Sequence, residues 1–382
     1  MNFRFTQEQV EIKEAVRDFC EKEFTVDVVN KYCEEEEFPW DLYKKAARLG
    51  FVCINLPEKY GGQGYGCFEN VLLTEEMVSR DPELGITLSL GDFGTDMILL
   101  YGTEEQKEKY ISRVASGDAT SSAAFTEPSG GSDISKCLET VAVKDGDEWV
   151  INGSKTFITN ANIADFIITL CQTSPDAKPP YRGQSLLLVD KNTPGLDITK
   201  LKGKLGLLPS PTCEVGYSDV RVPEENLLGQ LNRGFYHTLD YLNVSRVEIG
   251  AQGLGIAQGA FDRALTYAKQ RVLFGKPLIE LQAVSHKIAD MAIKVEAARL
   301  LVYKAAWLVD NEKPDPGMSS IAKTYAARAG VEVSDEAAQI FGGYYFLSDY
   351  DVNRFYRVAK VIEIYEGTKE VQKDNITRWL AR

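Results

Sequence analysis

Histidine is nearly absent from this chain: His237 and His286 are the only two in 382 residues. That excludes a multi-histidine metal centre, and a Ser-His-Asp triad would have to be built on one of these two. Both lie in segments with helical periodicity, where a histidine more often serves packing. No C-x-x-C pair occurs among the seven cysteines, at 20, 33, 53, 67, 137, 171 and 213. Neither a zinc site nor a disulfide framework is indicated, and a reduced, cytoplasmic protein is the economical reading. No apolar run reaches the ~18 residues of a membrane span. No Lys/Arg-rich block offsets the formal net charge of −13, which argues against a nucleic-acid partner. A signal-type apolar stretch is also missing: "MNFRFTQEQVEIKEAVRDF" enters a helical pattern by Thr6, so no targeting segment is expected. Repeats at solenoid periods are absent as well.

What is present is ordinary for a large globular protein: 44% hydrophobic and 26% charged residues. The first part reads as helices. Thr6 to Gln9 fits a capping box with Phe5 and Val10 placed for a hydrophobic staple, and Thr103 to Gln106 fits a second box opening a helix that Gly117 ends. From about Thr120 the period changes to short β runs, "VAVKDGDEWVING", "DFIITLCQ" and "SLLLVD", with a turn at Asp145-Gly146. After "VPEENLLG" the helical period returns. The expected fold is α+β, with an α-helical domain at 1–119, a β domain at 120–228 and a second α-helical domain at 229–382.

Two stretches look more informative than they are. "GLGIAQG" (Gly253 to Gly259) resembles a dinucleotide fingerprint, but the spacing is wrong and it follows helical sequence, so close helix packing is the expectation. The run Glu34 to Glu37 reads as a solvated loop before Pro39. Three others carry chemistry. "TEPSGGSD" (Thr126 to Asp133) makes a Gly/Ser turn whose backbone N–H groups suit a pyrophosphate. "KTFITNAN" (Lys155 to Asn162) sets Phe157 between threonines, as a flat ring system would require. "VIEIYEGTKE" (Val361 to Glu370) places Glu366 between apolar residues and Gly367, either as a plain helix end or as a carboxylate held at a backbone break where desolvation raises its pKa.

Taken in order with the Tyr-Gly-Gly loop at 60–62, "RVLFGKPL", "QIFGGYYF" and "IYEGTKEVQ", these motifs resemble the acyl-CoA dehydrogenase family over essentially the whole chain. The resemblance implies the family fold: an N-terminal α domain, a barrel-like middle β domain and a C-terminal four-helix bundle. It also implies one FAD per subunit, an acyl-CoA substrate, a homotetramer built as a dimer of dimers, and electron exchange with an electron-transferring flavoprotein. No metal, nucleic acid or membrane is implied. By position, Phe125, Thr126, Phe157, Ile158 and Thr159 fall at the flavin, with Phe157 in place of the commoner Trp, and Ser132 falls near both flavin and thioester. Arg271, Phe274, Gln282 and the Gln339 to Gly343 segment, including Gly342, fall where a neighbouring subunit's FAD is reached, and Thr368 and Glu370 near the adenosine diphosphate. Glu366 matches the base that takes the α-proton as the β-hydride moves to flavin N5, and Gly367 lets the backbone pass close to the substrate.

Some relatives carry the base on another helix, at the position of Ser245 here, and no second glutamate is expected to compete. Arg246 is expected at the CoA moiety and Asn243 at its adenine. In "LSLGDFGTDMILLYG" (Leu88 to Gly102), two readings stand for Asp92 and Asp96. Either Asp92 caps the following helix and Asp96 faces water in its first turn, or Asp92 enters the acyl pocket against a short, branched or cyclic acyl group such as cyclohexanecarboxyl. Rival functions are an acyl-CoA oxidase, an enoyl-CoA reductase running the reaction backwards, and a flavin-free interaction protein that keeps only the fold.

Overall fold

The computed structural model describes residues 4–136, 138–311 and 313–382, so Cys137 lies outside the described residues. Seven helices come first: α1 (Gln7–Glu23), α2 (Val26–Glu35), α3 (Trp40–Arg48), α4 (Cys67–Arg80), α5 (Pro82–Ser89), α6 (Thr95–Tyr101) and α7 (Glu104–Ala115). Both capping boxes form: the Thr6 and Thr103 side chains accept from the N–H groups of Gln9 and Gln106, and each Gln side chain accepts the cap N–H in return. Glu34 and Glu35 belong to the last turn of α2 rather than to a loop, and the chain leaves the helix at Glu36, which takes φ +50°.

The middle of the chain supplies β1 (Ser121–Ala124), β2 (Val141–Asp145), β3 (Glu148–Thr159), β4 (Phe166–Gln172), β5 (Gln184–Asp190), β6 (Leu196–Lys200), β7 (Thr212–Pro223) and β8 (Leu227–Leu228). They form one eight-stranded sheet in the order β6-β7-β3-β2-β4-β5-β8, with β1 added in parallel to β4. Asp145 pairs with Glu148 across a two-residue turn, where Gly146 takes φ +60°. The all-apolar reading of "FIITLC" has its reason in β4, which is buried along its whole length.

The last third holds α8 (Gly234–Gln270), a hairpin of β9 (Val272–Leu273) and β10 (Lys276–Pro277), then α9 (Gln282–Asn311), α10 (Pro316–Phe341), α11 (Val352–Ile362) and α12 (Lys369–Leu380). Three long helices, α8 to α10, pack together, and the shorter α11 and α12 lie on α10. Helix α4 joins the core of this bundle through Val71 and Val78. The "GLGIAQG" stretch makes that possible: a Cβ at Gly255 would lie 2.7 Å from Val78 Cβ, and one at Gly259 would lie 2.3 Å from the Ser79 carbonyl. Its glycines serve helix packing, not a nucleotide. Asp81, the cap of α5, meets Arg354 of α11 at 2.7 Å in a buried pair that ties the first helices to the last. Among the described residues no helix is long and apolar enough to cross a membrane.

Candidate active site

Glu366 stands where the chain turns between α11 and α12. It is a non-glycine residue with φ +52°, followed by Gly367 at φ +95°. A left-handed glutamate persists only where its surroundings over-determine it, and here every surrounding element contributes. Arg246 of α8 donates from Nε to the Glu366 carbonyl at 3.5 Å, Gln372 of α12 donates to the carbonyls of Glu366 and Gly367 at 3.0 and 3.1 Å, and Lys323 of α10 donates to the Gly367 carbonyl at 2.7 Å. Thr368 then caps α12 by accepting from Val371 N–H at 3.4 Å. Glu366 is thus no solvated helix end.

The Glu366 side chain turns inward. Ser245 of α8 donates to Oε2 at 2.6 Å, while Oε1 is buried without a hydrogen-bond partner. Burial raises its pKa; the Ser245 hydroxyl and the charges of Arg246 and Lys323 oppose that shift without cancelling it. The same burial lowers the Lys323 ammonium to about 8. A carboxylate with a raised proton affinity and one unengaged oxygen is equipped to accept a proton.

That carboxylate lines a small cavity between the N-terminal helices and α8, together with Asp92, Asp96, Glu248 and Tyr241. Neither aspartate behaves as a cap. The N-cap of α6 is Gly94, Asp92 accepts from Cys53 N–H at 3.3 Å, and Asp96 accepts from Asn55 at 3.2 Å instead of facing water. Glu248, which accepts from Asn70 at 2.7 Å, is a second glutamate at this site, contrary to the expectation that none competes. Its signal in the sequence was an acid set between Val247 and Ile249 in an otherwise apolar helix. Burial, then the charge of Asp92, lifts Asp96 to about 7. Burial and the neighbouring acids raise Glu248 well above the ordinary carboxylate value.

As pH rises, the unfolded chain loses the Asp96 proton near 3.8 and the folded chain near 7, so ionisation withdraws stability between these values. Asp96→Asn is therefore expected to melt progressively higher than wild type from pH 4 to pH 7, with a constant difference above. A difference that does not change with pH would show that Asp96 is already ionised in the folded state.

The flavin motifs come together on the sheet. Thr156 N–H donates to the Thr126 carbonyl at 3.0 Å, and the buried Lys155 ammonium reaches the Phe125 carbonyl at 3.3 Å and Glu127 at 2.8 Å. A register shift between β3 and β7 after Lys155 pushes Phe157 outward at φ +58°, 68% exposed. Ile158, by contrast, sends its side chain into the sheet core, leaving Phe157 and Thr159 as the outward neighbours. Ser132 is exposed on the turn after Gly131. An exposed aromatic beside half-buried Phe125 and Thr126 is an unfinished surface that fits a planar ring.

The residues expected at a neighbouring subunit are all exposed: Arg271, Phe274 (91%), Gln282, Gln339, Gly342 and Gly343. Arg271 lies over the Tyr344 ring at 5.6 Å, so the β9-β10 hairpin and the turn after α10 share one face. Glu370 sits in the first turn of α12. Arg246, expected at CoA, is buried against the Glu366 carbonyl, because the break there offers an acceptor inside the fold; Asn243, one turn earlier, is half-buried. His237 is stacked on Tyr101 with ring centroids 3.8 Å apart, a packing role, and His286 is exposed on α9.

The descriptions acyl-CoA dehydrogenase N-terminal, middle and C-terminal domain match residues 6–118, 122–220 and 232–381. An acyl-CoA dehydrogenase of Bacillus subtilis is 44% identical over 378 residues, 98% of each chain. The chain belongs to the acyl-CoA dehydrogenase family. Subunit CarC of the caffeyl-CoA reductase-Etf complex of Acetobacterium woodii is 39% identical over 99% of each chain. The solved butyryl-CoA dehydrogenase of Megasphaera elsdenii shares the fold at a TM-score of 0.95 and 37% identity, covering 100% of both chains. Acyl-CoA dehydrogenases are FAD-dependent oxidoreductases acting on a CH–CH bond, and FAD is the cofactor here.

Proposed function

We propose that this acyl-CoA dehydrogenase desaturates a short acyl-CoA between C2 and C3, with Glu366 removing the α-proton. The observation that carries the reading is Glu366 itself: a buried carboxylate on a strained turn, one oxygen held by Ser245 and the other unpartnered. Arg246, Gln372 and Lys323 hold the carbonyls of the turn in place, and the N–H of Glu366 would serve as a donor to the thioester carbonyl. Phe125, Thr126, Phe157, Thr159 and the exposed Ser132 would hold the flavin from one chain. Arg271, Phe274, Gln282, Gln339, Gly342 and Gly343 would complete the site from a second chain, Thr368 and Glu370 lying near the diphosphate. FAD, when bound, supplies the acceptor for the β-hydride. The proton then stays on Glu366, whose raised pKa suits the task.

A short acyl group is favoured by the Megasphaera relative, which is named a butyryl-CoA dehydrogenase. None of the relatives described above is named for an alicyclic substrate, and a cyclic acyl group is not carried forward. The caffeyl-CoA relative is named as a reductase in an Etf complex, which favours a second reading of the same residues: the reverse direction, with Glu366 returning the proton and an electron-transferring flavoprotein as partner. Assembly as a tetramer and a cytoplasmic location complete the proposal, the latter because the six described cysteines are free thiols. The purified protein is expected to be yellow and to bleach when butyryl-CoA is added without oxygen. A folded, colourless preparation that FAD does not reconstitute would sink the reading.

A further inference from the structure

Ser245 does not behave as a buried helix serine usually does. Such a hydroxyl ordinarily closes on a carbonyl three or four residues back on its own helix. Thr238 does so on the same helix, donating to the Gly234 carbonyl at 2.9 Å, and Thr87 and Thr324 do so on α5 and α10, to the carbonyls of Glu83 and Ser320. Ser245 is 3% exposed, yet its hydroxyl leaves α8 and donates to Glu366 Oε2 at 2.6 Å, the length of a charge-assisted bond. Its neighbour Arg246 donates to the Glu366 carbonyl, so two consecutive residues of α8 grip the side chain and the main chain of one glutamate. A hydroxyl has a single proton to give. Oε1 of the same carboxylate is left without a partner.

The two oxygens of the base are therefore not equivalent. A carboxylate free to turn would present either oxygen, and for part of the time neither would be aimed at the substrate. We propose that Ser245 is a positioning residue for proton abstraction: by holding Oε2 it stops rotation of the Glu366 carboxylate and assigns the α-proton to Oε1. This rests on the reading of Glu366 as the base. In the step, the C2–H bond breaks and its electron pair stays with carbon to form the C2–C3 double bond as hydride leaves C3 for the flavin. The proton ends on Oε1, and Ser245 keeps its own. The hydroxyl also favours the ionised form that must be present before the step. Burial is the largest influence on Glu366 and raises its pKa, and among the groups that oppose it the Ser245 hydroxyl comes ahead of the charges of Arg246 and Lys323. The other ionisable groups around the carboxylate are Tyr241 and Glu248 of α8, Asp92 and Asp96 across the cavity, Tyr365 beside it and Glu363 beyond Lys323. None of these is altered when Ser245 alone is changed.

The test is Ser245→Ala in the FAD-loaded enzyme, with the conservative Ser245→Thr and the weak donor Ser245→Cys beside it. In Ser245→Ala the ascending midpoint of kcat/KM against pH for butyryl-CoA is expected to move up by about one pH unit or more, the low end for losing a hydrogen bond to a charged group. The loss should fall on kcat rather than on KM. Ser245→Thr should bring the midpoint back to that of wild type, and Ser245→Cys should lie between. A second readout needs no turnover: the infrared carbonyl band of protonated Glu366, identified by its absence from Glu366→Gln, should titrate at higher pH in Ser245→Ala by the same amount. A serine that only packs would move the melting temperature and leave both midpoints in place, and that result overturns the proposal. So does a shifted midpoint that Ser245→Thr does not bring back. Should Ser245→Ala not fold, Ser245→Cys against wild type decides by the same two midpoints. Glu366→Gln separates the two claims. If it keeps full activity, the base assignment fails and the role of Ser245 with it; if it is inactive while Ser245→Ala keeps the wild-type midpoints, only the role of Ser245 fails.

Discussion

Glu366→Gln lowers kcat with butyryl-CoA by at least about 10²-fold while leaving the fold and flavin spectrum in place. The amide is nearly the same shape and can still accept from Ser245, so the turn keeps its clamp of Arg246, Gln372 and Lys323. What it loses is the oxygen that takes the proton. Glu248 lines the same cavity and is the one residue that could take over as a glutamate. Its carboxylate is engaged by Asn70, and burial with the charges of Asp96, Asp92 and Glu366 raises its pKa, so any activity left in the variant is assigned by adding Glu248→Gln. Because Glu366 must be ionised to act, kcat/KM in wild type should rise with pH through a midpoint above the ordinary carboxylate value. Full activity in the glutamine variant would move the base elsewhere.

Lys155→Met is expected to destabilise the protein by about 3–5 kcal/mol, the range for removing one partner of a buried ion pair. Lys155 and Glu127 are 0% and 2% exposed and 2.8 Å apart. Burial works to raise the Glu127 pKa, but the Lys155 charge and the N–H groups of Glu139 and Thr140 outweigh it, and the carboxylate stays ionised. Without the ammonium it is a buried charge held only by dipoles. The damage is local to the flavin surface, since Lys155 also fixes the Phe125 carbonyl. A fall in melting temperature of about 5 °C and loss of FAD during gel filtration are expected together. Adding Glu127→Gln to Lys155→Met should recover part of the stability, because no buried charge then remains. Unchanged melting and flavin content in Lys155→Met would show that the pair adds nothing.

Local signals were legible wherever one segment decides its own structure. The capping boxes at Thr6 and Thr103, the turn at Gly146 and the buried strand "FIITLC" need no distant partner. Glu366 was half legible: its own stretch allowed a plain helix end as well as a held carboxylate, and the resemblance of the surrounding motifs singled it out as the base. Asp92 and Asp96 were only half legible: their spacing allowed a cap, and the choice between cap and cavity depends on Cys53 and Asn55 about forty residues away. Glu248, Lys323 and Gln372 escaped for the same reason, each being polar on a helix whose facing partner is set by tertiary packing. Arg246 followed a family position toward CoA, whereas the chain's own geometry turns it to Glu366.

The central claim, that Glu366 takes the α-proton, can be separated from all flavin chemistry. 3-Thiabutyryl-CoA has sulfur in place of the β-carbon and so has no β-hydride to give, yet it keeps its α-protons. Incubated in D₂O with the FAD-loaded enzyme and followed by mass spectrometry, it should gain an α-deuteron with wild type and none above the uncatalysed background with Glu366→Gln. Equal exchange by the two proteins would contradict the assignment.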